Sequence, residues 1–289
     1  MSAIAYITDS KMLELHRLNN HKAIHFWRLS ANTNFSDFAV GDLVFFLSKD
    51  KEHRKKKEKG IVGFGRLQSF TQGSVRTMWD RYGIQNGYLS LEEFKEAILK
   101  VSKDRKLPKR ISGFYLENVT FFQPVYLSEC GMHISSNIES YIYLKEETVP
   151  ELLKLAMHSD DLWSTFSGSR DAIEKEMTLY ALFRTHRQIG DIKATEKYNR
   201  RALKELKRYL EEHEGWMMMQ NSENEVCRLK GNDIGICFYH DKDSCDKLLI
   251  GQAMLYRYYL YRYCDTCTSL RFYCSDGNEE LEHLLNVAG

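Results

Sequence analysis

Three short segments decide the fold of the N-terminal half: HFWRLS at 25–30, GDLVFFLS at 41–48 and GIVGFGRLQSF at 60–70. Each is rich in aromatic and aliphatic residues and is bounded by polar or glycine-containing stretches, the pattern of strands joined by turns. Between the second and third lies KDKEHRKKKEKG, a basic hairpin loop that carries Arg54, Lys55, Lys56 and Lys57. Downstream the period changes. VRTMWDRYG (75–83) reads as a helix, and a second helix starts at Ser90. There Glu93 completes a capping-box spacing, and Leu91, Phe94, Ala97 and Ile98 recur at helical intervals. Strand character returns in GFYLENVTFFQPVYL (113–127), where Pro124 predicts an edge or a strand end.

The second half opens on two helices, 170–190 and 194–215, the latter closed by Gly215. Three strand-like pieces follow, WMMMQ (216–220), EVCRL (225–229) and IGICFY (234–239), the last two joined by a tight turn at 230–233. A helix GQAMLYRYYLYRY (251–263), a strand SLRFYC (269–274) and a short acidic helix complete the chain. The expected organisation is an N-terminal domain over 1–145, a linker helix within 146–170 opened by Thr148 and Pro150, and a second domain over 171–289.

The length of 289 residues suits two domains, and 43% hydrophobic with 28% charged residues is a globular composition. A net charge of +1 excludes a uniformly basic protein, so binding to phosphate must come from local patches. No run of 18 apolar residues and no basic-then-apolar start is present, so neither a membrane span nor export is expected. Seven cysteines, an odd number, read as reduced thiols, and a cytoplasmic location is expected. The Cys264-x-x-Cys267 pair has no second pair at zinc-site spacing, which makes a zinc-stabilised adaptor the weakest alternative.

In its order FWRLS, GDLVFFL, GIVGFGRL, followed by MWDRYGIQNGYLSLEEFKEAI (78–98), the first half resembles the EVE domain, a barrel of the PUA superfamily. The resemblance runs from about Ile24 to Tyr126 and implies an N-terminal PUA/EVE-like β-barrel with covering helices that reads a modified base, such as a 5-substituted cytosine in double-stranded DNA. Residue chemistry agrees, because a flipped base needs aromatic faces, a few polar groups for its edge and nearby cations. Candidate walls are Trp27, Phe45, Phe46 and Trp79; candidate edge readers are Ser30, Asn32 and Asn86. Arg28, Arg54, Lys55, Lys56 and Lys57 are candidate phosphate contacts. Trp27 reads equally as pocket wall or as core, and the basic loop can be only a solvated hairpin tip. Of Phe45 and Phe46, one must point inward and one outward.

The order helix, hairpin, then a Gln-bearing helix in the second half resembles the PD-(D/E)XK nucleases, which implies an α/β restriction-endonuclease-like domain, making the whole chain α+β. In that family acids on the hairpin hold Mg²⁺ or Mn²⁺ and an acid-X-Lys triplet supplies a lysine. Glu225, Asp241, Lys242 and Gln252 are the catalytic candidates, with Glu176, Glu225 and Asp241 as metal ligands. The triplet is broken in Phe238-Tyr239-His240-Asp241-Lys242. Either Asp241 substitutes, or His240 is an unusual ligand, or the site is inactive. The leading expectation is a modification-dependent DNA endonuclease. Its rival is a non-catalytic DNA or RNA reader whose second domain dimerises or recruits partners, with a homodimer possible through the tyrosines of helix 251–263.

Overall fold

The computed structural model describes residues 3–29, 35–52, 58–132, 138, 140–159, 168–192, 200–220, 222, 224–264 and 269–287. The fold is mixed α+β and divides into two compact units, Met1–Ile173 and Glu174–Gly289. Among the described residues no helix is long and apolar enough to cross a membrane.

The first unit runs β1 (Ala3–Thr8), α1 (Ser10–Leu18), β2 (Ile24–Arg28), β3 (Leu43–Glu52), β4 (Lys59–Gly73), α2 (Val75–Tyr82), α3 (Leu91–Val101), β5 (Ile111–Val125), β6 (Tyr141–Leu144) and α4 (Thr148–His158). One sheet has the order β2-β5-β4-β3-β1-β6, with only the β1/β3 pair parallel. The strand and helix start at the N-terminus are additions to the sequence reading. AIAYIT forms β1, and Asp9 caps α1 by accepting from the Lys11 and Met12 backbone N–H groups at 2.8 and 3.1 Å. Ser90 caps α3 as expected, but Glu93 reaches back to the Leu89 N–H, one residue before the capping-box position.

The barrel expected from the resemblance does not close among the described residues, because β2 and β6 are the ends of the ladder. The sheet nevertheless curls strongly. Tyr6 on β1 meets Phe26 on β2 edge-on at 4.9 Å between ring centroids, although three strands stand between β1 and β2 in the ladder. Inside the curl Phe26, Phe46, Phe114 and Phe121 pack with Ile4, Val44 and Leu116. Phe45 meets Phe64 instead, and α4 buries Val149, Leu152, Leu153 and Ala156. Phe45 and Phe46 are both fully buried. Phe46, stacked on Phe26 and against Phe121, is core and not a base-contacting wall, which corrects the sequence expectation.

A third layer, α2 and α3, closes one end through Met78, Tyr82, Phe94 and Ile98. The turn between these helices needs glycine: Gly87 has φ +88°, and a Cβ there would lie 2.2 Å from Met12 Cγ. A fully buried histidine ties this layer to the sheet. His25 Nδ1 lies 2.7 Å from Asn86 Oδ1 and Nε2 lies 2.7 Å from Thr71 Oγ1, while the ring stacks on Tyr82 at 4.2 Å. An amide oxygen only accepts, so Nδ1 donates, and Nε2 accepts from the threonine hydroxyl in the neutral ring.

Burial lowers the His25 pKa to about 4, and burial with the neighbouring His21 lowers that of His16 to about 3. An unfolded histidine takes up its proton near pH 6.5. Between that pH and the folded values the unfolded chain therefore binds more protons, so stability is full above about pH 6.5 and falls as the solution is acidified. From pH 7.5 to 5 the expected loss is about 2 kcal/mol per histidine. Urea midpoints across this window test it, and His25→Gln should remove its share of the slope.

The second unit contains most of α5 (Ser169–Ile192), then α6 (Arg200–Glu212), β7 (Trp216–Met218), β8 (Glu225–Lys230), β9 (Asp233–Phe238), α7 (Asp246–Tyr263), β10 (Ser269–Cys274) and α8 (Glu279–Val287). Its sheet has the order β10-β9-β8-β7, a three-strand meander followed by a helical crossover to β10 parallel to β9. Side chains alternate across it. Val226, Cys237 and Tyr239 pack with Ala202 and Leu206 of α6 on one face. On the other, Phe238 meets Tyr256 of α7 and Phe272 of β10 at 6.1 and 5.6 Å.

Candidate functional site

A cleft of about 570 Å³ opens in the first unit where the curled sheet fails to close. Its lining comes from Tyr6–Met12 at the β1–α1 junction, Phe26–Leu29 of β2, and Ala97 and Val101 at the end of α3. Trp27 and Arg28, both singled out from the sequence, line it. Trp27 is half core: its ring packs on Phe94 at 5.7 Å and near Tyr88 at 6.4 Å while its remaining surface faces the cleft.

Arg28 is the unusual member. It is 8% exposed, and its guanidinium lies over Phe35, Phe114 and Tyr6 at 4.9, 5.2 and 5.6 Å from the ring centroids. Its Nε and Nη1 are buried with no hydrogen-bond partner among the described residues. The aromatic rings attract the cation through their π faces, but they satisfy no N–H. A buried donor without a partner costs roughly 1–3 kcal/mol, more when charged, and among the described residues none supplies the acceptor.

The other sequence candidates for binding fall elsewhere. Trp79 packs on Phe94 at 6.1 Å in the helical layer and does not line the cleft. Asn86 is fully buried; its oxygen serves His25, and its Nδ2 donates to the Met78 and Gly83 carbonyls at 3.2 and 2.8 Å. With its polar atoms engaged inside the fold, it is a bracket and not an edge reader. Ser30, Asn32, Arg54, Lys55, Lys56 and Lys57 lie outside the described residues. What the sequence reading missed is the contribution of Tyr6 and Lys11. The alternation in AIAYIT and the cap at Asp9 were the available signals.

In the second unit Glu225 and Gln252 come together as expected, but within a closed cluster. Gln252 Nε2 donates to Glu225 Oε1, and the Tyr256 hydroxyl donates to Oε2 at 2.6 Å. His186 Nδ1 lies 2.8 Å from the same Oε2 and 2.6 Å from Tyr256 Oη. Burial and the adjacent carboxylate hold the Tyr256 phenol well above its ordinary pKa. His186 was not visible as a site residue in the sequence, because it lies on a helix far from Glu225 along the chain and the two meet only in the fold.

Asp241 does not join this cluster. β8 and β9 pair Glu225 with Phe238, and paired residues share a face. Asp241 lies past the end of β9, where it accepts from Tyr239 Oη at 2.7 Å, from Ser244 Oγ and from the Asp243 N–H, with Arg201 at 3.5 Å. Tyr239 and Arg201 belong to the α6 face, opposite Glu225. Lys242 is exposed in the following turn. Glu176 is buried on α5. Among the described residues no three His, Cys, Asp or Glu side chains could hold a metal ion, so Glu176, Glu225 and Asp241 do not form the expected site. The partner facing Glu225 is a phenylalanine, and the donor set does not suit Mg²⁺ or Mn²⁺, which prefer several carboxylate and water oxygens. His240, the other alternative, is held between Asp276 and Asp246 at 2.7 and 3.1 Å, and its pKa is raised against burial by these two carboxylates.

Fold and site together define a two-unit α+β protein with an aromatic, cation-bearing cleft in one unit and a closed carboxylate cluster in the other. No protein-family model matches the chain, and no curated protein matches it. Among solved structures it is similar to the ASCH protein of Zymomonas mobilis, at 17% identity and a TM-score of 0.38 over 53% of this chain and 94% of that one. The hypothetical protein PH0355 is similar at 18% identity and a TM-score of 0.26, over 42% of this chain and 97% of that one. Similarity at this level places no function on the chain.

Proposed function

We propose that this is a nucleic-acid-binding protein whose first unit takes one unstacked nucleotide into the cleft between β1 and β2, and whose second unit is not a nuclease. The observation that carries the reading is the cleft itself. It brings together the rings of Tyr6 and Trp27, an exposed Lys11 at its edge and Arg28, whose Nε and Nη1 have no partner among the described residues, within one space of about 570 Å³, a usual size for a small-ligand site. Stacking is worth about 1–3 kcal/mol per base, and a cation at the rim suits a phosphate. The apolar lining from Ile7, Leu29 and Ala97 suits a 5-methyl group, so 5-substituted cytosine is the first base to try. The reader without catalysis is favoured over the endonuclease because the groups around Glu225 occupy both of its oxygens.

The test is fluorescence anisotropy with single-stranded and duplex DNA and with RNA, carrying cytosine, 5-methylcytosine or 5-hydroxymethylcytosine, over a range of salt. Binding should weaken with salt, and Lys11→Ala should reduce the log–log slope by about 0.7 for a single strand. Trp27→Ala should remove base preference while leaving weak salt-dependent binding. Absence of binding to every nucleic acid would sink the proposal. Cleavage of any of them with Mg²⁺ or Mn²⁺ would restore the nuclease.

A further inference from the structure

We infer that Arg28 reads the acceptor edge of the inserted base and not a backbone phosphate, so that the cleft prefers guanine and cytosine to adenine. The inference rests on the nucleotide-binding reading above and deepens it.

The position of the two cations separates their roles. Lys11 is exposed at the start of α1, whereas Arg28 is 8% exposed and walled by Tyr6, Phe35 and Phe114. In a polynucleotide the phosphates carry full charge and stay with the solvated backbone, because moving a charge out of water is costly. The base is the flat, largely apolar part, and it is the part that can enter a cleft lined by rings. The deeper cation therefore meets the base and the outer one meets the phosphate.

The chemistry of the guanidinium then sets which base fits. Arginine offers five N–H donors and no acceptor. Its Cζ lies over the Phe35 and Phe114 rings, which accept no hydrogen bond in the plane of the group, and Nε and Nη1 have no partner among the described residues. Guanine presents O6 beside N7, and cytosine presents O2 beside N3, each a pair of adjacent acceptors. Adenine sets its N6 amine, a donor, beside each of the acceptors N1 and N7. Donor facing donor in a space closed to water leaves both unsatisfied, and sites built this way discriminate strongly.

The experiment measures binding of single-stranded deoxyadenosine decamers with a central guanine or cytosine against the all-adenine decamer. It uses the full chain and its Lys11→Ala, Arg28→Lys and Arg28→Met variants, with melting of each variant recorded alongside. The parent should bind the guanine and cytosine strands at least tenfold more tightly than the all-adenine strand. Lys11→Ala should weaken all three by the same factor and preserve the ranking. Arg28→Met should bring the three together, and inorganic phosphate at millimolar concentration should not erase the ranking of the parent. Equal binding of the three strands by the parent overturns the inference alone, as does loss of the ranking to inorganic phosphate. If Arg28→Met fails to fold, the parent ranking together with Arg28→Lys still decides. Binding of none of the strands overturns the nucleotide-binding reading with it.

Discussion

Replacing Glu225 by alanine should unfold the second unit rather than merely silence it, with an expected loss of about 3–5 kcal/mol. Glu225 is 2% exposed and accepts from Gln252 and Tyr256, with His186 at 2.8 Å. Removing the carboxylate takes from the buried Gln252 amide and Tyr256 hydroxyl the acceptor they share, and leaves the hydroxyl only His186 Nδ1 at 2.6 Å. Glu225→Gln should cost less, since its carbonyl still accepts from one of them. Hydrogen exchange along β8 and β9, together with urea unfolding followed by probes specific to each unit, checks this. Asp241→Ala and Lys242→Ala should stay within about 1 kcal/mol of the parent, because one holds a loop and the other is exposed. A Glu225→Ala protein as stable as the parent would show that the cluster is not structural and would reopen a chemical role for it.

Asn86→Ala should produce the second large effect, a loss of about 3 kcal/mol with no change in the base preference of the molecules that remain folded. The side chain joins His25 to the Met78 and Gly83 carbonyls, so one amide ties β2 to the turn between α2 and α3. Without it His25 Nδ1 loses its acceptor in a fully buried position. Thermal melting gives the stability, and oligonucleotide titration below the melting range gives the preference. A folded variant with altered base ranking would return Asn86 to the role of edge reader that the sequence suggested.

The misplacement of Asn86 has a general physical cause. A polar residue beside Gly87 in a turn reads as available, because sequence shows the donor and acceptor but not what consumes them. His25 stands 61 positions away, and the pairing appears only when β2 and the helical layer meet. Phe46 was legible as a strand aromatic. That it is buried depends on Phe26 and Phe121, and that Phe45 is buried too depends on Phe64, all from other strands of the sheet. Trp27 and Arg28, singled out from the sequence as an aromatic and a cation on one strand, both line the cleft. The partners that shape that cleft, Tyr6 and Lys11, come from a β-strand and helix start at the N-terminus that the strand-by-strand reading did not include.

The local signals of the chain placed strands at 25–30, 41–48 and 60–70, which run as Ile24–Arg28, Leu43–Glu52 and Lys59–Gly73 in the structure, together with the helix opened by Ser90, the long strand through Pro124, and the helix–hairpin–helix–strand order of the second half. These depend on period, caps and turns, which act over a few residues and are written locally. The tertiary structure decided the rest. Strand register set Glu225 against Phe238 and sent Asp241 to the opposite face, a matter of side-chain alternation and of where the strand ends. The incomplete closure of the first sheet among the described residues produced the cleft, and the packing of rings around Arg28 left a buried cation whose Nε and Nη1 have no partner among those residues. Neither follows from composition or spacing, because both are fixed by contacts between residues far apart in the chain.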